Sequence, residues 1–334
     1  VNGNFVWRDA GRVVVFRHEG IAQAPQLLHE HGFADFELLT TPRALPGAPE
    51  IEAAAKAVHA VPSGQVPEAA ATLLERAKSL QLVALGGGRI VDTAKAVAAV
   101  SGAQVAAIPT TLSGAGMTGI HRLPAGAENR VRSLVRASLV IADPDAMTSL
   151  PEKPLRASAV HSLAHGVDSL YTHFTNPVSQ LTALRGAELI AASLDQEPDE
   201  RDRAALAQGS ILCGYAIDSG SFGMHHVICQ TLVRICDIPH AETNAVILPR
   251  VAAFLVPRAS DQLAPLAAAL GTDPTGIEAR ILQLGGNPAG LGELGADRSK
   301  LDQALDSMLV RPELAFTPEP PTRTDLEELI ESAW

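Results

Sequence analysis

His161 and His165 stand four residues apart, and His226 and His240 lie fourteen apart further along the chain. On a helix the first two share one face. An i,i+4 imidazole pair joined by two further histidines has the nitrogen donors of a tetrahedral Zn²⁺ or Fe²⁺ site. The same imidazoles also suit proton transfer near neutral pH, or hydrogen bonds to a substrate carboxylate. His225 and His226 are the first candidates for that proton transfer, with His161, His165 and His240 lining the site. Read singly, each is more simply an interior or surface histidine.

A second constellation is Gly86-Gly87-Gly88, continued by Arg89-Ile90-Val91-Asp92-Thr93-Ala94-Lys95 and, further on, Ile108-Pro109-Thr110-Thr111. Glycines let a backbone approach a ligand closely, and the free N–H groups and dipole of a following helix favour phosphate. Three glycines after a strand also make a plain tight turn. The spacing is not the GxGxxG of dinucleotide-binding turns.

These residues need elements to hold them. Arg12–Phe16 and Phe36–Thr41 read as strands, with an amphipathic helix over Ile21–His31 between them. A Pro/Gly-rich connection leads to a helix over Pro67–Leu80. Leu82–Leu85 is a short buried strand running into the glycines, Val91–Val100 is the next helix, and Val105–Pro109 and Leu139–Ala142 are further strands. Such alternation predicts a mostly parallel sheet covered on both faces. After Asp143-Pro144 the texture changes. Leu155–Tyr171, Val178–Leu194, Arg203–Ile217 and Met224–Ile235 are Ala/Leu-rich and helically spaced. The expected organisation is an α/β domain over residues 1–150 and an all-helical domain over 151–334, with the active site in a cleft between them.

Glycines followed by DxAK, then a strand into PTT, resemble the iron-containing alcohol dehydrogenase superfamily. The stretch IPTTLSGAGMT is similar to its maleylacetate reductase branch. The likeness continues through Asn176-Pro177 and Pro239-His240-Ala241-Glu242-Thr243 to a C-terminal helix closing on Ala333-Trp334. The resemblance implies the dehydroquinate synthase-like fold of that superfamily. It implies that Gly86, Gly87 and Gly88 hold the pyrophosphate of NAD(H) or NADP(H). Thr110 and Thr111, with Ser113 behind them, would lie near the nicotinamide. Asp92 and Lys95 would flank the cofactor from the helix, and Thr41-Pro42 would lie near the adenosine ribose. Arg43 follows, and a guanidinium there suits a 2′-phosphate as well as it suits solvent.

In metal-using relatives the positions of His161, His165, His226 and His240 read Asp, His, His, His. Maleylacetate reductases carry Asn at the first and are regarded as working without metal. His161 is neither. It implies a restored site for a divalent metal, Zn or Fe, or, the favoured reading, a hydrogen bond to a substrate carboxylate. Other departures fall nearby: Arg89 for the usual Ser at the phosphate, where its guanidinium can pair with the phosphate or its bulk can obstruct the loop, Ala115-Gly116 for Ser-Glu, Gln230 for a His thought to assist proton transfer, and Val233 for Gly.

The function expected from the resemblance is an NAD(P)H-dependent reductase of a small carboxylated enol or keto substrate. One alternative is a non-redox lyase, cyclase or binding protein recruited from the scaffold; another is a metal-dependent alcohol dehydrogenase using four histidines. The 334 residues suit two domains. A net charge of −11 argues against nucleic acid or an anionic membrane as partner. Three cysteines without a CxxC pair fit a reducing compartment. With no signal peptide and no membrane-length apolar run in view, a cytoplasmic protein is expected, and the family resemblance implies a homodimer.

Overall fold

The computed structural model describes residues 11–131 and 133–334. The chain divides into two compact units, one ending at Leu150 and one running from Pro151 to Trp334. In the first, strands β1 (Val13–Phe16), β2 (Glu37–Thr40), β3 (Ala57–Ala60), β4 (Gln81–Gly86), β5 (Gln104–Pro109) and β6 (Leu139–Ala142) form one sheet. Its order is β1-β6-β5-β4-β2-β3, and every pairing is parallel. Helices α1 (Ala24–Glu30), α2 (Pro49–Ala54), α3 (Val66–Leu74) and α4 (Gly88–Ser101) lie between the strands, and the single turn α5 (Pro144–Met147) follows β6.

The middle of the sheet is apolar without alternation because both faces are covered: β4 is buried from Leu82 to Gly86 and β5 from Val105 to Pro109. One face packs Leu38, Val83, Leu85 and Ile108 against Leu28, Phe36 and Ile51. At the sheet edge, β1 leaves Val13 and Val14 exposed.

The connection leaving β2 runs outward to β3, whereas the one leaving β4 runs the other way, to β5. Adjacent strands whose connections diverge leave a crevice at their carboxyl ends, which is where open α/β sheets take ligands. Here that crevice lies between Thr40 and Gly86, and the Thr40 hydroxyl donates to the Leu85 carbonyl across it at 2.9 Å. The glycines therefore stand at the topological switch point.

Two elements depart from expectation. The Pro/Gly-rich connection holds α2 and β3, and the helix expected to reach Leu80 ends at Leu74. The Glu37 carboxylate accepts the backbone N–H groups of Lys78 and Ser79, fixing the chain in a turn before β4. That partner comes from a distant strand, so no local pattern announces it.

The second unit is helical: α6 (Glu152–Tyr171), α7 (Pro177–Leu194), α8 (Arg203–Gly220), α9 (Met224–Cys236), α10 (His240–Leu255), α11 (Ser260–Ala269), α12 (Ile277–Leu284), α13 (Leu301–Leu309) and α14 (Arg323–Ser332). α6 is buried on every side from Ala157 to Tyr171, as a helix wrapped by neighbours must be; those neighbours are α7, α8 and α10. All three cysteines are buried and free.

Asn176-Pro177 opens α7. The Asn176 side chain accepts the N–H groups of Val178 (3.1 Å) and Ser179 (3.0 Å), and the Ser179 hydroxyl accepts the Asn176 N–H at 3.0 Å. Asn176→Ala should lower stability by about 1–2 kcal/mol, read as an earlier urea midpoint. Asn176→Asp keeps both acceptors and should lose less; equal losses would refute the capping role.

Candidate active site

The chain folds so that the first turn of α4 begins inside the glycine run. Gly86 has φ +155°, and a Cβ there would lie 2.7 Å from Ile90 Cγ1. A Cβ on Gly88 would lie 2.7 Å from the Ser113 hydroxyl. Any side chain at these positions would fill the cradle. No side chain caps α4, so its first N–H groups point into that space. The Thr111 hydroxyl, 3.4 Å from where a Gly87 Cβ would sit, is buried without a hydrogen-bond partner. A buried unpaired hydroxyl is costly unless something meets it. Close backbone, a bare helix N-terminus and an unpartnered hydroxyl together fit a dinucleotide diphosphate.

Asp92 and Lys95 do not face that space in the same way. Lys95 is fully buried. Its ammonium donates to the carbonyls of Ala115 (2.9 Å), Thr118 (3.0 Å) and Ile120 (3.1 Å) and pairs with Asp92 at 2.7 Å. An ammonium has three donors, and these partners use them. Lys95 thus fixes the segment after β5 that carries Thr110, Thr111 and Ser113. Thr41 accepts the Ala44 N–H at 3.2 Å, shaping the turn that exposes Pro42 and Arg43 at the end of β2. Gly116 is buried, with room for a Cβ at ordinary contact distance from Ala107 and Val140. The Arg89 side chain swings away from the cradle and donates to the Pro62 carbonyl at 2.5 Å.

In the helical unit, α6 brings His161 and His165 to one face with ring centres 4.7 Å apart. α9 stacks His226 on His165 at 4.9 Å. His240, first residue of α10, meets His161 edge-on at 4.6 Å. Four residues from three helices converge. His161, His165 and His226 are buried and His240 is exposed.

Asp168, absent from the sequence-based candidates, organises this cluster. It is fully buried, three residues after His165 on α6. One carboxylate oxygen accepts the His226 Nδ1–H at 2.7 Å and the Gly223 N–H at 2.9 Å; the other accepts the Tyr171 hydroxyl. Burial pushes the Asp168 pKa up, but the His226 hydrogen bond and charge outweigh it and hold the group at about 2. The carboxylate on Nδ1 orients the His226 ring, and Nε2 is buried without a partner. The His-x-x-Asp spacing puts His165 and Asp168 on one helix face, but the spacing alone does not show that the acid is buried.

Burial, then the neighbouring imidazoles, drives the pKa of His161 and His165 well below 6.5, so both are neutral at pH 7. His225 differs from the other four. It is completely buried, with Nε2 2.8 Å from Asn244 Oδ1, and burial lowers its pKa to about 4. It joins α9 to α10 and presents no surface. Gln230 accepts from Arg311 at 3.3 Å, and Arg311 pairs with Glu313.

The donor atoms of His161, His165 and His226 lie within 4.8 Å of one another. His165 Nδ1 and His226 Nε2 are buried without partners. Imidazole nitrogens clustered in this way, two of them without partners, fit a divalent transition metal.

Residues 15–145 match the family described as iron-containing alcohol dehydrogenase, and residues 156–334 match the C-terminal part of the Fe-containing alcohol dehydrogenase family. The chain is 34% identical over 263 residues to a maleylacetate reductase of Burkholderia cepacia, covering 75% of this chain and 73% of that one. It is 33% identical to maleylacetate reductase 1 of Rhodococcus opacus, covering 81% and 77%. The crystal structure of maleylacetate reductase from Agrobacterium tumefaciens superposes with a TM-score of 0.85 at 27% identity, over 99% of this chain and 98% of that one. These matches cover both units, and the chain belongs to the iron-containing alcohol dehydrogenase family as a maleylacetate reductase-like oxidoreductase.

Proposed function

We propose that this oxidoreductase reduces a small carboxylated enol or keto compound of the maleylacetate kind with NADH or NADPH. The observation that carries the reading is the cradle of Gly86, Gly87 and Gly88 with the unpartnered Thr111 hydroxyl beside it. Thr110 and Ser113 flank the same space, and Thr41-Pro42 stand at the end of β2, where an adenosine ribose belongs. When bound, the reduced nicotinamide supplies the hydride. Asp92 and Lys95 serve by holding the segment after β5. His226, locked by Asp168, and the solvent-facing His240 manage the proton, while His161 and His165 donate to a substrate carboxylate. Gln230, an amide, cannot exchange a proton at neutral pH. That assigns the task to the imidazoles.

Titration of the purified protein with NADH and NADPH, followed by turnover with maleylacetate, tests this. Gly88→Val should weaken nucleotide binding at least about tenfold by filling the cradle and leave the circular dichroism spectrum intact. His226→Ala and His240→Ala should bind nucleotide but lose turnover; full activity in either would remove it from the site. Failure of the folded wild-type protein to bind either nucleotide would overturn the reading.

The unpartnered nitrogens of His165 and His226 favour a second reading. His161, His165, His226 and His240 would hold a divalent ion, which when bound would polarise a carbonyl oxygen. Metal analysis of protein purified without chelators, together with chelator sensitivity of thermal stability, separates the two. The non-redox alternative has no counterpart among the relatives described above.

A further inference from the structure

We infer that Arg89 recognises the 2′-phosphate of the dinucleotide, making NADPH the preferred reductant. The inference rests on the reading that a dinucleotide occupies the glycine cradle.

Arg89 is the second residue of α4, where the family resemblance leads one to expect a small hydroxyl residue over the diphosphate. Its side chain neither crosses the cradle nor reaches open solvent. It runs sideways to the Pro62 carbonyl, in the segment after β3. In the order β5-β4-β2-β3, a side chain starting at the end of β4 and ending at the end of β3 must pass over the end of β2. In doubly wound sheets that is the adenosine side, and the residue after the second strand reads the ribose hydroxyls.

Enzymes that take NAD place a carboxylate there, which binds the 2′-hydroxyl and repels a 2′-phosphate. Here the segment after β2 reads Thr41-Pro42-Arg43, and that after β3 reads Val61-Pro62-Ser63-Gly64-Gln65. Neither contains an acid. Thr41 is turned to its own backbone, and Arg43 is exposed beside it.

The charge on Arg89 also lacks a counter-charge among the described residues. The residue is half-buried, and among the described residues it makes no ion pair with a carboxylate; its acceptor is a neutral carbonyl through one terminal nitrogen. Burial alone lowers its pKa, with no anion to offset it. A partly desolvated guanidinium with spare donors is a natural partner for a phosphate dianion, which it meets with two parallel hydrogen bonds. The Pro62 carbonyl holds the planar fork in place and removes part of the ordering cost of that contact.

The test measures dissociation constants for NADPH, NADH, 2′,5′-ADP and 5′-ADP with the wild type, Arg89→Ser and Arg89→Lys, using nicotinamide fluorescence and calorimetry. The wild type should bind NADPH and 2′,5′-ADP at least roughly tenfold tighter than their counterparts lacking the 2′-phosphate. Arg89→Ser should collapse that ratio toward one, Arg89→Lys should retain part of it, and added salt should shrink it. Equal wild-type affinity for NADH and NADPH would overturn the inference while leaving a dinucleotide site in place. So would an Arg89→Ser protein that weakens both nucleotides equally, which would put Arg89 on the diphosphate. Binding of nucleotide by Arg89→Ser alone would also overturn it, marking the arginine as an obstruction. If no variant binds any of the four probes while all remain folded, the dinucleotide reading itself fails.

Discussion

Lys95→Met should destabilise the protein by about 3–5 kcal/mol, the cost of breaking a buried charge-centred network on one side only. Methionine matches the lysine stem in length and apolar surface, so the loss isolates the ammonium. Without it the Thr118 carbonyl loses its donor, and those of Ala115 and Ile120 keep only contacts of 3.5 Å from the Thr118 N–H and hydroxyl; a buried carbonyl left unmet costs about 1–3 kcal/mol. Asp92 also loses its partner: Oδ1, which faces the ammonium, is buried although the side chain as a whole is partly exposed. Most of the lost bonds lie in the segment after β5. Urea unfolding gives the magnitude, and amide hydrogen exchange should show residues 113–121 opening before the sheet. Nucleotide binding should weaken even where the protein stays folded, because Thr111 and Ser113 ride on that segment. A loss under about 1 kcal/mol would mean that the lysine's desolvation cost nearly cancels its pairing, and the anchoring role would fail.

Lys95 also shows what the sequence could and could not reveal. Its spacing from Asp92 put both on one helix face, and the motif was recognisable. Its partners were not, because they are backbone carbonyls some twenty residues on, reached only after the segment following β5 folds back over α4. The central strands were legible because burial on both faces leaves no polar residue in β4 from Leu82 onward or in β5 after Gln104. α2 and β3 were not. The helix has six residues with Ile51 alone buried, and β3 alternates at the sheet edge over four residues, Ala57-Val58-His59-Ala60. Neither is long enough to show a period against the surrounding prolines.

The helical unit repeats the lesson. The pairing of His161 with His165 was written in the spacing, and the arrival of His226 and His240 came from the family register. Asp168 escaped notice because a lone acid on a helix reads as a surface charge. Only the burial of α6 on all sides shows that it must be paired, and only the packing of α9 supplies His226 as its partner. His225 misled in the opposite sense. Adjacent to His226 in sequence, it projects from a different side of α9, toward Asn244 and Cys229.

Stability should fall steeply as the pH drops below 6.5, and the buried histidines set both direction and window. His161, His165, His225 and His121 all have folded-state pKa values depressed below the usual 6.5, burial being the first cause in each. The unfolded chain binds protons at these sites as pH passes 6.5, whereas the folded chain resists. His225 resists down to about 4. A group of this sign contributes stability that is complete above the unfolded pKa and is lost as pH falls toward the folded one. Each such group gives a slope of about 1.4 kcal/mol per pH unit once the unfolded form is protonated and the folded form is not. Four together would give at most about 6 kcal/mol per unit, which exhausts an ordinary domain's stability within two or three units. His121 shows the structural reason. Its Nδ1–H faces the Arg122 carbonyl and its Nε2 accepts the Val135 N–H at 2.9 Å, so a second proton would set donor against donor. The carboxylates add little in this window, since Asp168 and Glu152 are held at about 2. Urea midpoints at pH 7.5, 6.5 and 5.5 (values chosen to bracket the usual histidine pKa) should therefore be level across the first interval and fall sharply across the second. His225→Gln, which can still donate to Asn244, should lower overall stability yet reduce the acid slope by close to one proton. A midpoint that stays flat down to pH 5.5 would mean these imidazoles are hydrated or already protonated in the folded protein, and the neutral, inward-facing cluster would have to be abandoned.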